Sequence, residues 1–277
     1  MAEILKASLI YDSLKDEIKK ASPHGVALAS VRIGDDYASH VYFSQQEKLA
    51  KDVEITYRSV HLPGNISLQD FGREIKKLNN DSDIKGIVIN KPFPVDWKEE
   101  DVFSLIDAHK DIEGMNPYNL GLLFTGRPNF ISPTVRSVLK FIELSAVELR
   151  GAEVALVGAS LLIGKPLAII LSNMLATVRL THVATFEKGL LEDHVKKADI
   201  VITCVGKPEI IKGSWFKKGA VVVDVGIGHK DGKICGDVEF DEACKIAGFI
   251  TPVPGGVGRL TTLFLFENLL KAAGKMS

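Results

Sequence analysis

The sequence predicts a two-domain α/β fold whose second half forms a parallel sheet. Short apolar runs alternate with helical patterns along both halves of the chain, an order typical of parallel strands joined by right-handed helical crossovers. In the second half, three of these runs stop at a glycine, at Gly158, Gly206 and Gly226. The length of 277 residues suits two modest domains.

Composition and charge exclude several classes of protein. Apolar residues make up 46% of the chain and the net charge is −1, so nothing favours binding to nucleic acid or to an acidic membrane. No apolar run reaches the roughly 20 residues of a membrane span. The first twenty residues carry acidic side chains throughout and no signal-peptide core. Three cysteines without metal-ligand spacing indicate a reducing compartment and no zinc site. We therefore expect a cytoplasmic protein without a bound metal.

The first half predicts alternating elements and then a loop-rich join. At the N-terminus, apolar residues at helical spacing predict an amphipathic helix with one apolar face: Ile4, Leu5, Leu9, Leu14 and Ile18. Strands are expected at 25–34, 55–62 and 84–89, and helices at 38–51, 67–78 and 99–108. Ser67 is a suitable cap for the second of these helices. Residues 110–127 are expected to be mostly loop, and Ser132-Pro133 to start a helix that ends near Leu144.

The second half repeats the alternation. Strands are expected at 154–157, 177–183, 199–205, 220–225 and 249–253, and a turn at 230–233. Helices are expected after Pro166 and at 190–197, 238–247 and 257–273. In such sheets, ligands bind at the carboxyl ends of the strands. The three small-residue strand ends therefore favour a dinucleotide site at one edge of the sheet.

The run VALVGASLLIGKP, residues 154–166, reads as strand, tight turn and helix. Gly158 allows a sharp turn and leaves space for a ligand, and Pro166 suits the first turn of a helix. Free N–H groups at the helix start are expected to face the turn, where a pyrophosphate could bind. The spacing G-x-S-x-x-x-G-x-P differs from the usual G-x-G-x-x-G. Taken alone, it also fits an ordinary strand-to-helix turn.

Several longer segments carry a family resemblance. They are GDDYASHVY at 34–42, GIVINKPFP at 86–94, KDIEGMNPYNLG at 110–121, VGASLLIGKP at 157–166, DVGIGHKDGKICGDV at 224–238 and ITPVPGGVG at 250–258. Over nearly its whole length the chain resembles the bifunctional methylenetetrahydrofolate dehydrogenase/cyclohydrolase family. The resemblance implies a folate domain at 1–130, closed by the final helix 257–274, and a Rossmann-like NAD(P) domain at 131–252, with a cleft between them. It also implies a homodimer built through the cofactor domains.

The resemblance also implies folate-site residues, with several departures. Tyr42 matches the tyrosine that lies against the aminobenzoate ring of a tetrahydrofolate derivative. One helical turn later, the family's catalytic lysine is replaced by Gln46, which cannot take a proton near neutral pH. The other implied positions are Asn90 in place of glutamine, then Lys91 and Pro92; Glu113 in place of the pterin-contacting aspartate; Pro254, Gly255 and Gly256; and Arg259 in place of a proline.

For the cofactor, the resemblance implies contacts from Gly158, Ala159, Ser160, Ile163, Gly164, His182, Val183, Gly206, Lys207, Pro208 and Gly226. In the family, residues at positions 159 and 183 help to bind the 2′-phosphate of NADP. Ala159 and Val183 cannot donate a side-chain hydrogen bond, so NAD is expected to be preferred over NADP. Arg179 lies early in its strand, away from the site, whereas Lys188 remains an alternative source of positive charge.

The expected function is hydride transfer from 5,10-methylenetetrahydrofolate to NAD(P), with weak or absent cyclohydrolase activity because Gln46 lacks an amine. Lys91 is either an ordinary solvated lysine or the source of that amine. An alternative is a catalytically impaired paralogue that binds folate or a protein partner. An unrelated NAD-linked dehydrogenase would leave the N-terminal segments and ITPVPGGVG unexplained.

Overall fold

The computed structural model describes residues 1–22, 25–35 and 37–276, without the side chains of 37–41. Asp36, within one of the segments that carry the resemblance, lies outside the described residues. The chain forms two compact units. One unit contains residues 1–11 and 134–261, and the other contains residues 12–133 and 262–277. The domain limits 1–130 and 131–252 stay a prediction.

The strands and helices alternate along most of the described chain. The strands are β1 Glu3–Ile4, β2 Ala27–Ile33, β3 Thr56–Leu62, β4 Ile84–Ile89, β5 Glu153–Val157, β6 Thr177–Thr181, β7 Ile200–Thr203, β8 Val221–Asp224, β9 Gly228–Lys230, β10 Lys233–Cys235 and β11 Phe249–Ile250. The helices are α1 Tyr11–Ala21, α2 Tyr37–Asp52, α3 Leu68–Asn80, α4 Glu99–Phe103, α5 Pro117–Phe124, α6 Pro133–Leu144, α7 Gly164–Asn173, α8 Val183–Glu187, α9 Leu191–Lys196, α10 Phe240–Ile246 and α11 Val257–Ala272.

The unit containing 134–261 is built on a six-stranded sheet in the order β1-β11-β8-β7-β5-β6. All pairings in it are parallel. From β5 the chain passes to β6 on one side and then returns to β7 on the other side, so the strand order reverses between β5 and β7. Ligands of open α/β sheets bind at such a reversal, beyond the carboxyl ends of the strands. The predicted α/β class with a parallel sheet is confirmed.

The unit containing 12–133 has a three-stranded parallel sheet in the order β3-β2-β4. The central strand β2 is almost entirely buried. A Cβ at Gly86 on β4 would lie 2.7 Å from Ile112 and 2.8 Å from Leu269, so the C-terminal part of α11 packs directly on this strand. Asn268 fixes that contact, since its amide donates to the carbonyls of Ile112 at 2.8 Å and Ile131 at 2.9 Å.

The predicted N-terminal helix is wrong in its first half. Glu3–Ile4 forms the edge strand β1, paired with β11, and helix α1 begins only at Tyr11. The Leu5 amide bonds to the carbonyl of Ile250 at 2.8 Å. The apolar residues before Tyr11 therefore follow the sheet, and tertiary pairing overrides their helical spacing.

Several further boundaries differ from the prediction, among them that of β11, which ends at Ile250 rather than at 253. Helix α4 ends at Phe103 rather than at 108, because the amides of Leu105 and Ile106 bond to carbonyls three residues back, at 3.3 Å each, instead of four residues back. The Asp107 carboxylate then accepts the His109 amide at 2.8 Å and forms a turn. The segment 110–127 contains α5, started by the Asn116 cap and Pro117. Strand β6 ends at Thr181, and Val183 already belongs to α8.

None of the described helices is both long and apolar enough to span a bilayer. Among the described residues, no group of three or more histidine, cysteine, aspartate or glutamate side chains is placed to hold a metal ion.

Candidate active site

The centre of the predicted folate site is the buried amide of Gln46 on α2. Its side chain has no solvent exposure. Its Oε1 accepts hydrogen bonds from Ser30 Oγ at 2.8 Å and from Tyr57 OH at 3.3 Å, and its Nε2 donates to Asn90 Oδ1 at 3.3 Å. A further hydrogen bond connects it to Tyr42. Since a glutamine amide has two acceptor sites and two donor hydrogens, protein groups take up its hydrogen-bonding capacity.

Asn90, at the end of β4, closes this network. Its Nδ2 donates to Ser30 Oγ at 2.8 Å and to the Val31 carbonyl at 3.0 Å. Ser30 therefore donates to one amide and accepts from the other. Gln46 and Asn90 are therefore hydrogen-bonded neighbours, and their roles in a folate site stay a prediction.

Tyr42 and Glu113 lie within electrostatic range of each other. Burial raises the pKa of the Tyr42 phenol, the negative charge of Glu113 raises it further, and the hydrogen bond with Gln46 opposes the shift. Burial and the charge of Asp111 raise the pKa of Glu113 to about 8, while Lys91 acts in the opposite direction. Glu113 therefore holds a proton at neutral pH.

The segment that carries Glu113 is fixed by Asp111. Its Oδ2 accepts the Asn116 amide at 2.7 Å and the Asn119 side-chain amide at 2.8 Å. Asn119 also donates to the Ala108 carbonyl at 2.9 Å. These bonds connect the turn that precedes α5 to the first turn of that helix. Glu113 therefore lies on a rigid loop.

Lys91 and Pro92 follow Asn90 directly and are both exposed. The Lys91 ammonium forms an ion pair with Glu99 and lies 5.9 Å from the centre of the Phe93 ring. The structure thus gives Lys91 a partner other than the Gln46 network.

In the other unit, the segment Pro254-Gly255-Gly256 forms a tight turn before α11. Gly255 has a φ of +107°, which is the region that favours glycine, and a Cβ at Gly256 would lie 2.6 Å from the Pro252 carbonyl. The guanidinium of Arg259 lies 4.8 Å from the centre of the Tyr11 ring, within the range of a cation–π contact.

The predicted cofactor turn lies at the point where the strand order reverses. Gly158 has a φ of +115°, and a Cβ there would lie 2.7 Å from Cys204 Sγ. A Cβ at Gly164 would lie 1.9 Å from the Gly158 carbonyl oxygen. Both positions therefore need glycine for the turn to close. Ala159, Ser160 and Ile163 lie in the same turn.

The start of α7 does not offer the free N–H groups that the sequence predicted. Ser160 Oγ accepts the amides of Ile163 at 3.2 Å and Gly164 at 3.4 Å, and the Ser160 carbonyl accepts that of Lys165 at 3.0 Å. Pro166 has none to offer. One turn earlier, the amides of residues 159–162 have no acceptor among the described residues. An anion at this turn would bind there.

The loop after β7 forms the second wall of this edge. Gly206 has a φ of +73°, and Lys207 and Pro208 follow it. The Asp237 carboxylate accepts the amides of Val205 at 2.7 Å and Lys207 at 2.8 Å. Burial raises the pKa of the neighbouring Cys204 thiol to about 12, so this cysteine is not a nucleophile.

Gly226, at the end of β8, lies against the same carboxylate. Its amide bonds to Asp224 Oδ1 at 3.0 Å, and a Cβ there would lie 2.1 Å from Asp237 Cγ. Burial raises the pKa of Asp224 to about 6 and also raises that of Asp237.

At the end of β6, His182 and Val183 are both exposed. The His182 amide donates to Thr185 Oγ1 at 3.4 Å, which fixes the start of α8, and Val183 is 63% exposed. Arg179 forms an ion pair with Glu153 at 2.5 Å. This pair holds Arg179 near the start of β5, at the opposite end of the sheet.

Sequence reasoning missed four polar residues that order these sites: Ser30, Tyr57, Asp224 and Asp237. Ser30 could have been noticed as a hydroxyl inside the apolar strand ALASVRI. The two aspartates are charged residues at the borders of apolar runs. No local pattern in the sequence indicates that Tyr57 reaches Gln46.

Comparisons with known proteins cover nearly the whole chain. Residues 5–113 match the family model of the tetrahydrofolate dehydrogenase/cyclohydrolase catalytic domain, and residues 132–277 match that of the family's NAD(P)-binding domain. The bifunctional protein FolD of Geotalea uraniireducens is 43% identical, over 99% of both chains.

Two solved structures are also similar. The bifunctional FolD enzyme of Campylobacter jejuni has 32% identity, 99% coverage of both chains and a TM-score of 0.94. The FolD enzyme of Trypanosoma brucei, complexed with NADP and an inhibitor, has 30% identity and a TM-score of 0.92, and the match covers 98% of this chain and 97% of that one.

Proposed function

Because the chain belongs to the tetrahydrofolate dehydrogenase/cyclohydrolase family, we propose that it oxidises 5,10-methylenetetrahydrofolate with NAD or NADP. The product is 5,10-methenyltetrahydrofolate. We further propose that this chain hydrolyses the product weakly or not at all.

The observation that carries the second part is the state of Gln46. Hydrolysis of the methenyl cation adds water, which must lose a proton, so the step benefits from a base. At position 46 the chain has a neutral amide, buried and hydrogen-bonded to Ser30, Tyr57 and Asn90. That amide cannot accept a proton from water near neutral pH.

Hydride transfer has no such requirement. Loss of a hydride from the methylene carbon leaves the methenyl cation without any proton transfer, so the step depends on orientation of the reactants. A dinucleotide held at the turn of Gly158 and Gly164 would supply the hydride acceptor. In this proposal the Tyr42 ring lies against the aminobenzoate, and protonated Glu113 donates a hydrogen bond to the pterin. In the same unit, Asn90, Lys91 and Pro92 complete the proposed folate contacts.

The residues present fit a dinucleotide. The turn at Gly158 and Gly164 leaves no room for a Cβ at either position, and its amides at 159–162 have no acceptor in the described part of the chain. We propose that these amides hold the pyrophosphate, with Gly206, Lys207, Pro208 and Gly226 lining the opposite side. This supports retained cofactor binding and argues against an impaired paralogue, in which decay of the cofactor site would be expected.

We propose a preference for NAD over NADP. The side chains of Ala159 and Val183 offer no hydrogen bond to a 2′-phosphate. The phosphate dianion would lose water of hydration beside Val183, and this apolar side chain could not replace it. The ion pair with Glu153 removes Arg179 as a substitute. Lys188, the residue that ends α8, remains the alternative cation.

A homodimer and a cytoplasmic location complete the proposal. β6 is the edge strand of the six-stranded sheet, and Met174, Leu175 and Phe186 near it are large apolar residues with 46%, 57% and 46% exposure. An unpaired edge with exposed apolar neighbours is a favourable surface for association. Light scattering of the purified chain measures its mass directly.

The decisive experiment measures both reactions on the same protein. Reduced nicotinamide absorbance with methylenetetrahydrofolate and each dinucleotide reports the dehydrogenase, and loss of methenyl-folate absorbance without dinucleotide reports the cyclohydrolase. Activity in the first assay and almost none in the second supports the proposal. An impaired paralogue gives no signal in either assay. If the dehydrogenase and cyclohydrolase rates are comparable, the role assigned to Gln46 is wrong.

A further inference from the structure

The loop after β7 is held by one buried carboxylate. Asp237 has no solvent exposure, and each of its oxygens accepts a backbone amide of this loop. Oδ2 bonds to Val205 at 2.7 Å and Oδ1 bonds to Lys207 at 2.8 Å. Hydrogen bonds to an ionised acceptor are stronger than neutral ones, so this side chain fixes the loop at two points around Gly206.

Asp237 is itself fixed by a second carboxylate, Asp224 at the end of β8. Asp224 Oδ1 accepts the Asp237 amide at 3.2 Å, and Oδ2 accepts the Val238 amide at 2.9 Å. Thr203 on β7 donates its hydroxyl to Asp224 at 2.9 Å. The loop after β7 is thereby tied to β8 and to the segment after β10.

Two glycines provide the space for these carboxylates. A Cβ at Gly226 would lie 2.1 Å from Asp237 Cγ, and a Cβ at Gly236 would lie 2.0 Å from Asp224 Oδ2. The backbone therefore passes directly over each acid. Such close packing restricts the positions that the Asp237 side chain can take.

We propose that Asp237 is a positioning residue for the dinucleotide, which it serves by holding the amides and carbonyls of 205–207 in place. The identity of the ligand rests on the proposed function. Direct contact is a poor explanation for this acid, because a carboxylate repels a pyrophosphate. Both of its oxygens already bond to the loop.

The test is Asp237→Asn, which has nearly the same shape. One of the two loop amides then faces an NH₂ group instead of an oxygen, so its hydrogen bond is lost. We expect faster hydrogen exchange at Val205 or Lys207 and a rise of roughly 10- to 100-fold in the Kd of the dinucleotide. The KM of methylenetetrahydrofolate should stay within about twofold of the wild type. Removal of a negative charge would by itself tighten the binding of an anion. Weaker binding of the dinucleotide would therefore come from the lost hydrogen bond to the loop.

The matched control is Asp199→Asn. Asp199 precedes β7, at the other end of the same sheet, and also accepts a backbone amide, that of Glu153 at 3.0 Å, together with Lys217 at 2.5 Å. Its substitution should lower the Tm without changing the Kd of the dinucleotide. If a general loss of stability were the cause, the Kd of the dinucleotide would rise in both variants.

The outcomes distinguish a failure of the proposed function from a failure of the positioning role of Asp237. If the wild type binds neither NAD nor NADP, the proposed function fails. If the wild type binds one of them and Asp237→Asn binds it equally well, or keeps its loop amides protected, the positioning role is wrong. Should Asp237→Asn not fold, the wild type still decides: its amides at 205 and 207 must exchange roughly tenfold or more slowly than the unbonded amides at 159–162, and equal exchange overturns the inference.

Discussion

Replacement of Gln46 by lysine tests the proposed loss of cyclohydrolase activity. A lysine amine at this position would be surrounded by Ser30 Oγ, Tyr57 OH and Asn90 Oδ1, which now bond to the glutamine. Hydroxyl groups can rotate to accept as well as donate, so all three can accept from the new amine. The charged amine can therefore replace the three hydrogen bonds that the glutamine makes to these groups, and the neutral amine has a lone pair that can take a proton.

The expected pKa shift and the expected loss of stability both follow from the burial of position 46. Position 46 has no solvent exposure, and burial disfavours the charged form of lysine, lowering its pKa by ~3 units in buried sites. Such a shift corresponds to about 4 kcal/mol of lost stability. Because the folded pKa lies below the unfolded one, this loss is complete below the folded pKa and disappears as the pH rises towards ~10.4. An amine shifted in this way is a competent base near neutral pH.

We expect Gln46→Lys to raise the rate of methenyl-folate hydrolysis by ~10²–10⁴-fold over the wild type. The decrease in methenyl-folate absorbance with time measures the rate of hydrolysis, and thermal melts across the pH range measure the stability of the variant. Gln46→Met is the control, since it has a similar length and burial but no amine, and it should gain no hydrolysis. Equal rates for the lysine and methionine variants would refute the reasoning, as would a wild type that already hydrolyses methenyl-folate as fast as it forms it.

Three further predictions concern the cofactor and the titrating groups. Val183→Arg should shift kcat/KM from NAD towards NADP; an unchanged ratio with Val183→Leu and Val183→Arg alike would contradict the role of this position. Glu113 has a pKa raised to about 8, so folate KM should rise as the pH passes this value. Glu113→Gln should flatten that profile and gain stability relative to the wild type as pH rises from 4.5 to about 8, where the buried carboxyl loses its proton. Lys91→Ala removes the positive charge that lowers the pKa of Glu113, so the profile should move to higher pH while the dehydrogenase kcat is retained; a collapse of kcat would instead make Lys91 a catalytic group.

Locally determined elements were predictable from the sequence. The apolar run IKGIVI predicts the strand that the structure has as β4, because Lys91-Pro92 forbids its continuation. Ser67 caps α3 as predicted, accepting the Asp70 amide at 3.1 Å. In both cases the residues that define the element lie within a few positions of it.

Elements defined by distant partners were not predictable. β1 has only two residues and exists because β11 pairs with it, so its own sequence carries almost no strand signal. The same limit applies to the site. Gln46 and Asn90 were predicted from motifs, whereas the contacts of Ser30 and Tyr57 with Gln46 form only when β2, β3 and α2 are packed together.

The path of the chain between its two units has a consequence for biosynthesis. Neither unit is continuous in sequence, since residues 1–11 join 134–261 and residues 262–277 join 12–133. Ile4 pairs with Ile250, 246 positions later, which at roughly 5–20 residues per second is about 12–50 s of translation. Strand β1 must therefore stay unpaired until Phe249–Ile250 has left the ribosome. Neither unit can be completed from a contiguous fragment.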